Sequence, residues 1–132
     1  MALGLSAANA NQFLNYLVRV AATSTAPVGL FMKLHVADPG AAGTANAAGN
    51  TTRKAVTFGS VASGGLISNT IAVTWTVGET TANEDYSHYS MWDNVSAGTF
   101  QFSGLMTANA VVIGNEFTIP IGDVDLSFLT AA

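Results

Sequence analysis

The sequence predicts a mainly β domain, an antiparallel β-sandwich or barrel-like fold with one N-terminal α-helix. Three observations carry this. Beyond Pro27, apolar residues alternate with others at a period of two, the signature of half-buried strands. Clusters of Gly, Asn, Asp, Ser and Thr separate these runs at short intervals, as turns do. Apolar spacing of three and four occurs only before Pro27. A chain of 132 residues is one domain by length. It divides into an N-terminal segment, 1–22, that holds the helix, and a β-sandwich, 23–132, with a long loop at 38–52.

Ser6 is a suitable N-cap, and Phe13, Leu14, Leu17 and Val18 form one apolar stripe flanked by Tyr16. The helix is expected over Ala7–Ala22, with Arg19 near its C-terminal end and Thr23–Pro27 as the stop. In the first strand Val28, Leu30, Met32, Leu34 and Val36 point inward, while Gly29, Phe31, Lys33 and His35 point outward. Further strands are expected at Lys54–Val61, Leu66–Val77, Tyr86–Trp92, Phe100–Met106, Ala110–Pro120 and Val124–Leu129, with a turn at Thr107–Asn109. In the second of these, Ile67, Ile71, Val73, Trp75 and Val77 share a face. The expected core includes Leu30, Leu34, Val73, Trp75, Trp92, Phe117 and Leu126.

Residues 38–52 contain only small and turn-forming types. A connection of that length in a small domain is usually functional or disordered. It lacks the apolar mass to pack on its own domain, so it is expected to be mobile until a partner orders it. Asp38, Pro39, Thr44, Asn46 and Asn50 are its candidate partner contacts.

Composition constrains function. Of the 132 residues, four are basic and eight acidic, while 49% are hydrophobic. Soluble domains carry about 25% charged residues. Many surface positions must therefore be Ala, Thr, Ser, Asn or Gly, which lose few ion-bound waters when covered. Such a surface suits permanent assembly. The charges are also uneven: residues 1–54 carry +3 and the remainder −7. Interleaving of strands from the two halves would erase that asymmetry in space. Four scattered cations make no phosphate track, so nucleic acid is not an expected partner. No apolar run is long enough to span a membrane. Cysteine is absent, excluding disulfides and thiolate sites. Met1–Leu5 has no secretory features, which argues against secretion, and the triplets at Asn50 and Asn94 that resemble glycosylation signals carry no weight without that route.

Catalytic and metal chemistry find little support. Glu84-Asp85-Tyr86-Ser87-His88 holds the densest group of reactive side chains. A strand there puts Tyr86 and His88 on one face and Ser87 on the other, with no third ligand or oriented base in reach. His88 reads as a structural imidazole bonded to a loop beside Trp92, and His35 as an exposed or interfacial one. Asp123 and Asp125 would share a strand face, as a hard cation requires, yet alternation with inward Val124, Leu126 and Phe128 produces the same pattern. No catalytic residue, cofactor, metal or small-molecule substrate is assigned. A carbohydrate-binding module that uses Trp75, Trp92, Tyr86 and Tyr89 is a third functional reading.

Six ordered segments carry a resemblance: LHVADPG (Leu34–Gly40), RKAVTFG (Arg53–Gly59), SNTIAVTW (Ser68–Trp75), HYSMWD (His88–Asp93), FSGLMT (Phe102–Thr107) and FTIPIGDVDLSF (Phe117–Phe128). Together they resemble small virion proteins of tailed bacteriophages, variously labelled tail fibre, minor tail or head-decoration proteins. The resemblance implies a non-enzymatic β-rich structural protein of the virion, made in the host cytoplasm, with itself as a homotrimer partner. The expected role is a capsid decoration or minor capsid (cement) protein on the major capsid protein shell or other virion proteins. The alternative is a tail-tip, tail fibre or minor tail protein.

Overall fold

The computed structural model describes residues 4–19, 26–60 and 65–127. Its elements in order are β1 (Gly4–Leu5), α1 (Ala7–Arg19), β2 (Phe31–His35), β3 (Lys54–Ala55), β4 (Leu66–Ser68), β5 (Val73–Trp75), β6 (Glu84–Trp92), β7 (Phe100–Val111), β8 (Phe117–Ile119) and β9 (Asp125–Ser127). The fold is mainly β with one helix. A five-stranded antiparallel sheet runs β1-β7-β6-β2-β3, and β5–β8 and β4–β9 form two smaller antiparallel pairs.

The core lies between these layers. Met32 and Leu34 of β2, Tyr86, Tyr89 and Met91 of β6 and Phe102 of β7 pack in one cluster with Val73 and Trp75 of β5 and Phe117 and Ile119 of β8. Ala48, Val56 and Val124 complete it, with Leu30 and Leu126 among the residues partly buried against it. Trp75 is fully buried beside the Phe117 ring, and its Nε1–H donates to the Thr52 carbonyl at 2.8 Å. The Tyr86 ring meets Phe117 edge-on at 5.0 Å. Trp92 is also buried, but on the opposite face of the sheet, against Arg53 and Phe100.

Several expected elements change shape. The first strand is shorter, and Val28 and Val36 are exposed. Leu66–Val77 is two strands with different partners, because Asn69 turns the chain: its Nδ2 donates to the Ile71 and Pro120 carbonyls and its Oδ1 accepts from the Gly122 and Val124 amides. Ile71 and Val77 consequently leave the face of Val73 and Trp75 and reach solvent. The turn expected at Thr107–Asn109 is strand, since Tyr86, Asp85 and Glu84 pair with Asn109, Ala110 and Val111. Instead the chain turns at 112–116, where the Ile113 amide donates to Asn83 Oδ1 and the Gly114 amide to the Thr80 carbonyl. Helix residues expected beyond Arg19, Val61 of the second strand, and Phe128 and Leu129 of the last lie outside the described residues.

Residues 38–52 are built into the domain. The Val36 amide donates to the Asn46 carbonyl and the Ala48 amide to the Leu34 carbonyl, so this segment extends the sheet edge beside β2. Asp38 Oδ1 accepts from the Gly40 amide, and both Glu84 carboxylate oxygens accept from the Gly49 amide. Pro39, Ala48 and Asn50 are buried. Backbone pairing thus supplies what the side chains lack, which corrects the expectation that the segment cannot pack on its own domain. Gly43 has a positive φ of 70°, and a Cβ there would run into the Phe100 ring. Gly43→Ala is expected to lower stability by about 1–3 kcal/mol in urea unfolding.

Candidate functional site

The second face of the large sheet holds a buried polar network. On β2 it presents Phe31, Lys33 and His35, and across from them on β6 stand Trp92, Ser90 and His88. His35 is fully buried under residues 39–45, which corrects its assignment as an exposed or interfacial imidazole. The Ala45 carbonyl can only accept, so the proton sits on Nδ1, which donates to it at 2.7 Å. Nε2 then accepts from the Ser90 hydroxyl at 2.7 Å, and that hydroxyl accepts from Trp92 Nε1–H at 2.8 Å. The chain of donors runs Trp92 to Ser90 to His35 to Ala45. Burial pushes the imidazole pKa below its ordinary value, with Lys33 and His88 adding in the same direction and the Ala45 and Asn46 backbone opposing. The neutral ring is a structural pin between the sheet and the loop above it.

Arg53 closes the end of this face. Its guanidinium lies 4.0 Å from the Trp92 ring centroid and donates to the Asn94 and Ala97 carbonyls, fixing the 93–99 turn. Lys54 pairs with Glu79 at 2.6 Å, holding that carboxyl below its ordinary pKa range. In the sheet β6 and β7 of the second half lie between β1 and β2 of the first, and the Lys54–Glu79 pair joins charges of the two halves, so the +3 and −7 halves do not form separate ends.

The reactive cluster at 84–88 is redirected by a β-bulge between Tyr86 and His88. Tyr86 consequently joins Tyr89 and Met91 in the core, while His88 lies on the Ser90 face. His88 bonds Ser87 through Nδ1, and the Ser87 hydroxyl donates to the Val36 carbonyl. Its partner is therefore a neighbour on its own strand, not a loop beside Trp92. Asp125 accepts from the Ser68 hydroxyl. Among the described residues no three His, Asp or Glu side chains gather as a metal site would need. Addition of EDTA is expected to leave the melting temperature unchanged, as differential scanning fluorimetry can check.

The four aromatics of the carbohydrate reading do not offer a platform. Trp75 and Tyr86 are fully buried, and Tyr89 and Trp92 nearly so, which leaves no ring face for a sugar. Their burial corrects that reading. Of the loop residues proposed as partner contacts, Thr44 and Asn46 are exposed and Asp38 is half-buried, while Pro39 and Asn50 face inward. A cleft of about 630 Å³ opens between the end of β7 and β8, lined by Met106, Asn109, Phe117 and Asp123 among others. The sequence reading missed both this cleft and Asn69. An Asn inside an apparent strand was the available signal for the second, because strands disfavour it.

Outside these internal networks the described surface carries few charges, many small polar residues and exposed aliphatics such as Leu105, Val112, Ile113 and Ile121. A family model described as podophage GP4 fiber I protein gp80 matches residues 4–127. The chain belongs to this family. It is thus a bacteriophage virion structural protein of the tail-fibre type, and the family is not a known enzyme family. No curated protein matches the chain. The match spans α1 and the nine strands of the described residues, so family membership rests on more than one segment of the chain.

Proposed function

We propose that this protein is a tail-associated, fibre-type component of a podophage virion, non-enzymatic, assembled with copies of itself and with neighbouring virion proteins. The family match over residues 4–127 carries the reading. The fold supports it: polar side chains with chemical potential, His35, Ser90 and Arg53, are engaged in holding the domain together. The charge-poor surface supports assembly through apolar and small-residue contacts, which need no ion pairs and bury at about 25 cal/mol per Å². The same surface fits a head-decoration protein equally well, and the fibre description of the family supports the tail reading. Neither nucleic acid nor a small molecule is proposed as partner.

Immunogold labelling of intact virions, with antibody raised against the purified protein, tests the placement. Gold confined to the tail region is expected. Label spread evenly over the head would replace the fibre reading with the capsid-decoration one.

A further inference from the structure

Strand β8 has a neighbour on one side only. Its residues Phe117, Thr118 and Ile119 pair with Trp75, Thr74 and Val73 of β5, and no other strand joins it among the described residues. The free edge faces the cleft of about 630 Å³, which all of Phe117–Pro120 line. Successive side chains of a strand point to opposite faces, so a wall made of consecutive residues is the strand's edge and not one of its faces. The far wall is β7. There the register jumps from Leu105 opposite His88 to Asn109 opposite Tyr86, so Met106, Thr107 and Ala108 bulge out of the ladder. The Thr107 carbonyl accepts from Asn109 Nδ2 at 2.7 Å, an amide donor supplied by a side chain in place of a neighbouring strand. Asp123 and Asp125 add two exposed carboxylates to the lining, and no basic side chain is among the described residues there.

We infer that this cleft takes an extended segment of another virion protein, which adds as a strand to β8 and turns Lys or Arg toward Asp123 and Asp125. This rests on the proposed assembly with neighbouring virion proteins and names the surface used. A strand edge presents a row of N–H and C=O groups that match the backbone of another strand. Edges not meant for pairing are blunted by Lys, Pro or an overlying segment. The edge of β2 beyond β3 is covered in this way, since the Val36 amide donates to the Asn46 carbonyl and the Ala48 amide to the Leu34 carbonyl. Phe117-Thr118-Ile119 has no such guard within it: it holds neither charge nor proline, and Pro120 stands only at its end. The cleft's volume lies in the range of roughly 300–1,000 Å³ that encloses small ligands, room for a few residues of extended chain. Charge selects their side chains. Two carboxylates without a basic neighbour attract a cationic segment and repel nucleic acid. An oligosaccharide is the poorer fit, because Phe117, the only ring among the described lining residues, is buried against Trp75 and Tyr86.

The test joins hydrogen exchange with photo-crosslinking. Exchange is measured on the isolated full chain and on purified virions, and cross-linking on virions that carry p-benzoylphenylalanine at position 118, an exposed site. The edge amides within Phe117–Ile119 are expected to exchange about tenfold or more slowly in the virion, because a bonded edge amide exchanges only when the interface opens. The cross-link is expected on a segment of a different virion protein that contains Lys or Arg. Adding Asp123→Lys should reduce that cross-link several-fold, while Asp85→Lys, at an exposed carboxylate outside the lining, should leave it intact. Both carboxylates are exposed, so near-ultraviolet circular dichroism should match wild type in each variant. Equal exchange in the two states, or a cross-link only to another copy of this chain, would overturn the inference. Slow exchange with no protein cross-linked would overturn it too and make a glycan the occupant. An undiminished cross-link in Asp123→Lys would overturn the cationic partner. Absence of the protein from purified virions would sink the proposed function as well, whereas its presence with an unprotected β8 edge sinks this inference alone.

Discussion

Trp75→Ala is expected to cost about 3–5 kcal/mol, the largest effect of any single substitution considered. The side chain is fully buried between β5 and β8, so its removal leaves a cavity against Phe117 that the surrounding strands cannot close. It also strips the Thr52 carbonyl of its indole donor, which loosens the end of the 38–52 segment where it meets the core. Urea unfolding monitored by far-ultraviolet circular dichroism measures the loss. A midpoint within error of wild type would mean that Trp75 does not hold the two layers together.

Ser90→Ala comes next, at about 2–4 kcal/mol. The hydroxyl is buried between two ring nitrogens, and its loss leaves His35 Nε2 and Trp92 Nε1–H without partners, each costing about 1–3 kcal/mol. The same network sets an acid response. The folded-state pKa of His35 is lowered, chiefly by burial, from an ordinary value of 6.5. Below about pH 6.5 the unfolded chain therefore takes up a proton that the folded chain refuses. Stability is complete above that pH and falls as pH drops through it. The melting temperature of wild type should decline between pH 7 and pH 5.5, and the decline should shrink in His35→Asn, whose amide has no proton to gain. A flat wild-type profile over that interval would show that His35 is not held neutral by its surroundings.

The fold class was legible because its signals are local. Period-two alternation around Met32 and Leu34, and Ser6 ahead of an apolar stripe, act within a few residues and survive folding. The errors fall where distant residues decide. His35 shares its strand face with Lys33, yet a segment some ten residues later folds over it and offers the Ala45 carbonyl. Asn69 breaks an apparent long strand because the 120–124 turn, about fifty residues away, supplies its partners. The bulge at Ser87 sends Tyr86 into the core, a one-residue slip that alternation alone cannot detect. The loop at 38–52 misled by composition, because backbone hydrogen bonds need no apolar side chain.

Function was legible in coarser terms. Twelve charges in 132 residues point to a surface made for contact, and residue patterns resembling phage virion proteins agree with the family match. Head and tail proteins meet the same physical demand, a surface that is easily desolvated, so composition does not separate them. Location within the particle is set by the partner's surface, which this sequence does not encode.

Quantitative mass spectrometry of separated tails and tailless heads from purified virions tests the central claim most directly. A fibre-type tail component predicts that the protein is recovered with the tails and is absent from heads. Recovery with tailless heads in numbers that match the capsid shell would contradict it.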